Sequence, residues 1–440
     1  MLLHSCIIRF LANLFVAFLV TCVTVKSVTV ASAVRADTPG FPDLVLPEGA
    51  GVNIHFTRGH ERDLDMIAAA GFKFIRMDFS WGGTERKQST YNWADYDELT
   101  SNLEKRGLRA IYILDYSTSL YEEAVISKNP INGRERKDVA SPQHPGSVAA
   151  FARWSAEAAR HFAGRRIIWE IWNEPNITFW KPKPDVGQYT TLALATVKAV
   201  RDADPGATII GPATSEVPLK FLDEFFSSGI LANLDAVSVH PYRPYRKSPE
   251  TAVEDYRKLR ELIEQHAPTP AKRALPIISG EWGYSTFANK GVSLETQAAF
   301  LVRQQLSNLV AGIPISIWYD WKDDGTDPAE REHNFGTVTH DLKPKPAYLA
   351  FQILARELSG YRIESRLKTL SDQDYLLLFG KDKERKLAAW TTGDAHAVVV
   401  EGYGFKTVRS VSGDGSSATT EVGNDALWLT SMPRYLTLGK

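Results

Sequence analysis

Eight times between Val52 and Gly360 a short β-branched or apolar run gives way to an amphipathic stretch with helical spacing. The runs are VNIHF from Val52, FKFIRMDFS from Phe72, AIYILDY from Ala110, IIWEIWNE from Ile167, TIIGPA from Thr208, LDAVSVHPY from Leu234, PIISGEWG from Pro276 and PISIWYDW from Pro314. Most are nearly continuous in apolar residues, as parallel strands buried on both faces must be. Between them, stretches such as Ala149–Phe162, Val253–Ile263 and Phe300–Val310 repeat apolar residues every three or four positions. Gly71, Gly107, Gly164 and Gly312 stand where a helix hands over to the next strand, a place for a left-handed cap. Ser248 followed by Pro249 reads as a helix start. Eight such alternations predict an α/β protein built on a closed (β/α)8 TIM barrel. No glycine-rich phosphate turn follows the first run, which argues against an open dinucleotide-binding sheet.

A barrel of this kind takes about 250 residues or more, and the chain has 440. Beyond Gly360 the period changes to two, in DYLLLFG from Asp374, KLAAWTT from Lys386, AVVVEGY from Ala397, ALWLT from Ala426 and RYLTLGK from Arg434. These short alternating runs predict a smaller C-terminal antiparallel β-sandwich, serving as structural support or as a sugar-binding module. The expected division is an N-terminal segment over 1–36, a barrel over 37–360 and a sandwich over 361–440.

The first 36 residues place Arg9 ahead of the apolar run Phe10–Val25, with Ala31, Ser32, Ala33 and Ala36 beyond. As helix that run is about 24 Å long, short of a bilayer core of about 30 Å. It reads as a signal peptide ending at Ala33 or Ala36, or as an uncleaved inner-membrane anchor. Export is expected either way, to the periplasm, to the periplasmic face of the inner membrane, or outside the cell. Both cysteines, Cys6 and Cys22, lie inside this segment, so a processed chain would hold no disulfide, thiol nucleophile or cysteine-bound metal. Lys+Arg total 51 against 52 for Asp+Glu, a balance that points to neither nucleic acid nor an anionic membrane surface as a partner. A monomer is expected.

In a barrel the reactive groups lie at the carboxyl ends of the strands. Those positions here hold His55, Arg76, Asp78, Trp81, Asp115, Tyr116, Asn173, Glu174, His240, Tyr242, Glu281, Trp282, Trp318, Tyr319, Asp320 and Trp321. Glu174 and Glu281 stand out, because glycosidic cleavage needs a protonated carboxyl at the leaving oxygen and a carboxylate opposite it. A separation of about 5–5.5 Å implies retention of configuration, and about 6.5–9.5 Å implies inversion. A negative charge at Glu281 would raise the proton affinity of Glu174, and Arg76 beside Glu281 would keep that carboxylate ionised. Glu170, two residues before Trp172 on the same run, reads as a buried structural acid. Trp81, Trp172, Trp180 and Tyr284 read either as sugar-stacking surfaces or as packing beneath the loops. Asp323, Asp324 and Asp327 crowd one loop without a calcium-loop offset, and no HExxH motif exists, so a solvated acidic loop is expected and no metal.

IWNEPN from Ile171, HPY from His240 and GEW from Gly280 together resemble the clan A retaining glycoside hydrolases. Within that clan the chain most resembles family 39, in particular the bacterial exopolysaccharide endoglycosidases of the Psl biofilm type. The likeness runs from about Leu46 to Gly360. It implies Glu174 as acid/base, Glu281 as nucleophile, and Asn173 bonding the sugar 2-hydroxyl. It further implies that Arg76 and Tyr242 orient Glu281, that His240 lines the pocket, and that Trp318 or Trp321 lies under the reacting sugar. Trp282, Asp115 and Tyr116 complete the substrate-binding set. Some clan members carry a histidine where this chain has Asp115 and Tyr116, which leaves the sugar contacts there open. The expected function is retaining endo-β-glycosidase action on a bacterial exopolysaccharide without cofactor. Alternatives are an exo-acting β-xylosidase-like glycosidase and a non-catalytic polysaccharide-binding subunit of a synthesis or export complex.

Overall fold

The computed structural model describes residues 40–129, 133–245, 247–398, 407–414, 417–421 and 427–438, together with Val28–Thr29. Eight parallel strands close into a barrel: β1 Ala50–Asn53, β2 Phe74–Ser80, β3 Arg109–Asp115, β4 Ile168–Ile171, β5 Thr208–Ser215, β6 Ala236–His240, β7 Ile277–Trp282 and β8 Ser316–Trp318. β8 pairs with β1, Trp318 opposite Val52, which closes the ring. After each strand comes a helix: α1 Glu61–Ala70, α2 Ala94–Glu104, α3 Pro145–His161, α4 Val186–Ala203, α5 Leu219–Phe226, α6 Ala252–His266, α7 Leu294–Val310 and α8 Pro346–Glu357. Gly71, Gly107, Gly164 and Gly312 all have positive φ, as the cap reading required. An antiparallel hairpin, Ala124–Lys128 with Glu135–Val139, is inserted between β3 and α3. Its second strand, ERKDV, has no apolar face to betray it.

Strand parity decides what the barrel contains, since alternate side chains point to opposite faces. Phe74, Ile111, Ile168, Ile210, Ala236, Ile278, Ile315 and Ile317 meet in one buried cluster that fills the lower interior. Two residues further along, the same inward face carries Arg76 on β2, Glu170 on β4, Ser238 on β6 and Gly280 on β7, so the interior turns from apolar to polar toward the carboxyl end. The outward set, including Val52, Ile75, Trp169, Ile171 and Trp318, joins the larger core beneath the helices.

After α8 the chain enters an antiparallel region with β9 Arg362–Arg366, β10 Asp374–Lys381, β11 Glu384–Thr391, β12 His396–Val398, β13 Thr407–Ser412, β14 Ser417–Glu421, β15 Leu427–Leu429 and β16 Arg434–Leu438. The large sheet runs Val28–Thr29, β9, β10, β11, β16, β13, β14, and β12 pairs separately with β15. Leu376, Leu387, Ala389 and Leu436 of the large sheet pack against Val398, Leu427 and Leu429 of the ribbon, giving an unequal sandwich. Val28–Thr29, which the sequence reading assigned to the export segment, form the edge strand beside β9. The rest of the 1–36 segment and residues 399–403 of the predicted Ala397 strand lie outside the described residues. Among the described residues no helix is long and apolar enough to cross a membrane.

A buried ion pair of the barrel is bonded in turn by the sheet. Arg303 on α7 donates from Nε and Nη2 to the two oxygens of Glu250, at 2.7 and 2.8 Å. Trp390 on β11 donates its indole N–H to Glu250 Oε1 at 2.7 Å. All three side chains are buried. Removing one member leaves the other charge uncompensated, so Glu250→Gln is expected to cost about 3–5 kcal/mol, read as a lowered denaturant midpoint.

Candidate active site

Arg76 occupies the centre of the polar layer with no exposed surface. Its Nε donates to Glu170 Oε2 at 2.6 Å, and Nη1 donates to Glu281 Oε2 at 2.6 Å. Nη2 donates to Asn173 Oδ1 at 2.9 Å and lies 3.1 Å from His240 Nε2. Burial works against the charge, and Glu170 and Glu281 more than offset it, so the guanidinium stays charged above its ordinary value. Glu170 is further bonded by the Ser238 hydroxyl. It is the buried structural acid the sequence suggested. Gly280 makes room for this cluster: a Cβ there would lie 2.5 Å from Ser238 Oγ and 3.3 Å from Glu170 Oε1.

The hydrogen bonds assign the tautomer of His240. Arginine only donates, so Nε2 of His240 accepts, and its Nδ1 carries the proton toward Glu174 Oε1 at 3.0 Å. Burial first and the Arg76 charge second push the imidazole down to about 4, so the ring is neutral at physiological pH. Glu174 itself is pushed up to about 7, with burial the largest cause. The sequence reading looked instead to the charge of Glu281, but Arg76 already sits against that charge. Glu174 follows β4 with φ +46, a left-handed conformation in a residue other than glycine. Such a conformation costs on the order of 1–3 kcal/mol and is held by its surroundings; its N–H donates to Ala213 O at 2.9 Å.

Glu281 sits where the β7–β8 register shifts between Ser279 and Trp282. Besides Arg76 it accepts from Tyr242 Oη at 2.8 Å and from Asn53 Nδ2 at 3.3 Å. One carboxylate oxygen of Glu281 and one of Glu174 lie within 4.8 Å of each other. Together with a nitrogen of His240 these oxygens would be the donors for any metal here. Arg76 already occupies His240 Nε2 and Glu281, and the Nδ1 proton blocks the other nitrogen. The arrangement therefore suits proton transfer and nucleophilic attack.

Glu174 and Glu281 open into a cavity of about 570 Å³, a volume usual for ligand sites. Arg76, Asn173, Tyr116 and Tyr242, all expected at the site, line it, as do Asn53, His55 and Asp78. Tyr116 Oη accepts from Asn173 Nδ2 at 3.1 Å. Asp115, His240, Trp282, Trp318 and Trp321, also expected to touch substrate, do not line the cavity. His240 lies behind Glu174, fully buried. Asp115 is buried beside Asp78, where desolvation and then the Asp78 charge push its carboxyl well above the usual range. Trp282 and Trp318 belong to the core outside the barrel, and Trp318 donates to Phe335 O at 3.3 Å. Its neighbour Ile317 points inward, so parity sends Trp318 outward. Trp321 donates to Asp63 Oδ1 at 2.9 Å beneath α1.

The cavity's aromatic surface comes instead from Tyr319, Phe335, Phe179, Tyr245 and Tyr284. Of these, Tyr319 stood among the strand-end residues and Tyr284 among the candidate stacking surfaces; Phe179, Tyr245 and Phe335 belong to loops whose path no local pattern fixes. Asn53 was missed too, although it is the last residue of β1 on the inward face. Arg331 and Glu332 add a charged pair to the wall, 3.2 Å apart.

Residues 43–324 match the family described as Cellulase (glycosyl hydrolase family 5). The chain is 28% identical over 209 residues to a β-xylosidase of Geobacillus stearothermophilus, covering 42% of this chain and 40% of that protein. It thus spans less than half the length of that relative. Among solved structures it superposes on a family 39 glycoside hydrolase from the gut symbiont Bacteroides cellulosilyticus WH2 with TM-score 0.75 and 25% identity, covering 92% of this chain and 82% of that one. A GH39 β-xylosidase from Caulobacter crescentus shares the fold at TM-score 0.65 and 18% identity, over 91% and 97% of the two chains.

Glu174 binds a proton in the folded chain that it releases when unfolded, between its ordinary pKa of 4.5 and about 7. Stability therefore falls as pH rises through that window, by up to about 3 kcal/mol from this group. Glu174→Gln is expected to remove that slope, measured as unfolding free energy at several pH values.

Proposed function

Because the chain belongs to the cellulase (glycosyl hydrolase family 5) family, within clan A of the glycoside hydrolases, we propose that it is a retaining β-glycosidase with Glu281 as nucleophile and Glu174 as acid/base. The observation that carries this reading is that one oxygen of each comes within 4.8 Å of the other, which fits the short carboxyl separation of a double displacement. Glu281, ion-paired with Arg76 at 2.6 Å, attacks the anomeric carbon. Glu174, protonated up to about pH 7 by its burial, gives its proton to the departing glycosidic oxygen. The leaving group diffuses out and the sugar remains esterified to Glu281. Glu174, now a carboxylate, takes a proton from the incoming water, which attacks the same carbon and frees Glu281. Asn173, held by Arg76, presents its amide toward the sugar 2-hydroxyl.

The substrate reading is release of a terminal β-linked sugar, in the manner of a β-xylosidase. It is supported by the similarity to the Geobacillus enzyme and by the burial of Trp81, Trp172 and Trp180, which removes the tryptophan surface expected to floor an open groove. A second reading, endo cleavage of a bacterial exopolysaccharide, is favoured by the apolar run Phe10–Val25, which suits a chain exported to where such polymers lie.

With a substrate whose leaving group needs protonation, Glu174→Gln is expected to lower kcat by about 10²-fold or more, and Glu281→Gln to abolish turnover. Unchanged turnover in either variant would remove the role given to that residue. Proton NMR of fresh product should show the β-anomer first. With a long oligosaccharide, monosaccharide as the sole early product supports exo action, and a ladder of shorter oligosaccharides supports the endo reading.

A further inference from the structure

A second constellation sits on the same rim at the seam that closes the barrel. His55 follows β1 and Asp320 and Asp324 follow β8, and because those strands pair, the three side chains reach one corner. One donor atom from each lies within 4.8 Å of the others. His55 Nε2 is 3.6 Å from Asp320 Oδ2, too long for a hydrogen bond. It is close to the spacing of about 3.3 Å between two ligands of a tetrahedral ion bound at about 2.0–2.1 Å.

The partners of Asp320 decide the matter. It is fully buried, yet neither carboxylate oxygen has a hydrogen-bond partner among the described residues. Lys345, the nearby buried cation, gives its ammonium to Asp323 Oδ1 at 3.0 Å instead. Buried carboxylates are paired, protonated or bound to a cation, and this one aims at an imidazole and a second carboxylate. We propose that His55, Asp320 and Asp324 bind a first-row divalent cation of the zinc type, clamping the loops after β1 and β8. One imidazole and two carboxylates suit Zn²⁺ or Mn²⁺, whereas Ca²⁺ and Mg²⁺ ask for six or more oxygens. Two carboxylates also cancel the ion's charge. The loop's own acids alone read as a solvated acidic loop; the imidazole comes from the far end of the barrel sequence. The ion would stand beside the cavity wall that His55 lines, apart from Glu174 and Glu281.

The test is calorimetric titration of the full chain, stripped with chelator, against Zn²⁺, with thermal unfolding followed in parallel. One site per chain, a Tm that rises with Zn²⁺ and no response to Ca²⁺ or Mg²⁺ support the site. Asp324→Asn changes an exposed residue and leaves the fold alone; it should weaken binding by at least about tenfold, as should His55→Ala. Asp320→Asn should do the same if it folds. Zn²⁺ binding unchanged in Asp324→Asn, binding lost instead in Glu281→Gln, or no zinc-dependent heat or Tm shift would each overturn the proposal.

Discussion

A single buried guanidinium organises the polar half of this barrel. Arg76 reaches from β2 to Glu170 on β4, Glu281 on β7, His240 on β6 and Asn173 in the turn after β4. Burying a full charge costs several kcal/mol even after relaxation, and the cost is met here by acceptors on four of the fork's five N–H groups. The consequence is geometric as well as energetic. A guanidinium cannot bend, so four side chains from separate strands and turns are held at fixed angles to one another. Any group moved away would leave a charged or polar atom unpaired in a dry interior.

That one cation also separates the fates of the two glutamates. Glu281 touches it directly and is further bonded by Tyr242 and Asn53, three donors aimed at a carboxylate. Glu174 makes no hydrogen bond to Arg76: His240 stands between them, and the guanidinium charge acts on Glu174 from a distance, lowering its proton affinity by less than burial raises it. With no cation at contact distance to offset its burial, the Glu174 carboxyl keeps its proton to a higher pH. Two identical side chains thus stand in different surroundings, the pattern expected where one site needs both an acid and a base. The left-handed turn at Glu174 is the strained part of the device, and the neighbouring β5 carbonyl that bonds its N–H helps to hold it.

Much of this was legible in the chain. The eightfold alternation announced the barrel, and the strand-end rule found Arg76, Asn173, Glu174, Tyr242 and Glu281, because parallel strands deliver those positions to one rim whatever the loops do. Parity was the weak point. Trp318 and Trp321 sit within three residues of each other at the end of β8, and an aromatic at a strand end looks the same in sequence whether it faces the cavity or the helices. Ile317 in the inner cluster and Trp318 in the outer one show that a shift of one residue separates the two outcomes. His240 and Asp115, expected to touch substrate, lie behind the cavity and do not line it, since depth along a strand depends on barrel tilt. Nothing local in ERKDV marked the hairpin after β3, and nothing in Glu250 or Arg303 hinted that they join barrel to sheet.

What sequence resolves least is the wall of the cavity away from the carboxylates. Asn53, Arg76 and Glu281 come from strands, whose backbone hydrogen bonds fix them to their neighbours. Phe179, Tyr245, Arg331, Glu332 and Phe335 come from the long excursions after β4, β6 and β8. Their positions depend on packing such as Arg331 over the ring of Phe335 in its own loop and over that of Tyr245, the latter a contact between segments far apart in the chain. Strand-borne groups are therefore suited to bond making and breaking, and loop-borne groups to choosing the sugar. A substitution among the latter changes the shape offered to the ligand while leaving the Arg76 network untouched, which is how one barrel chemistry can serve different glycosides.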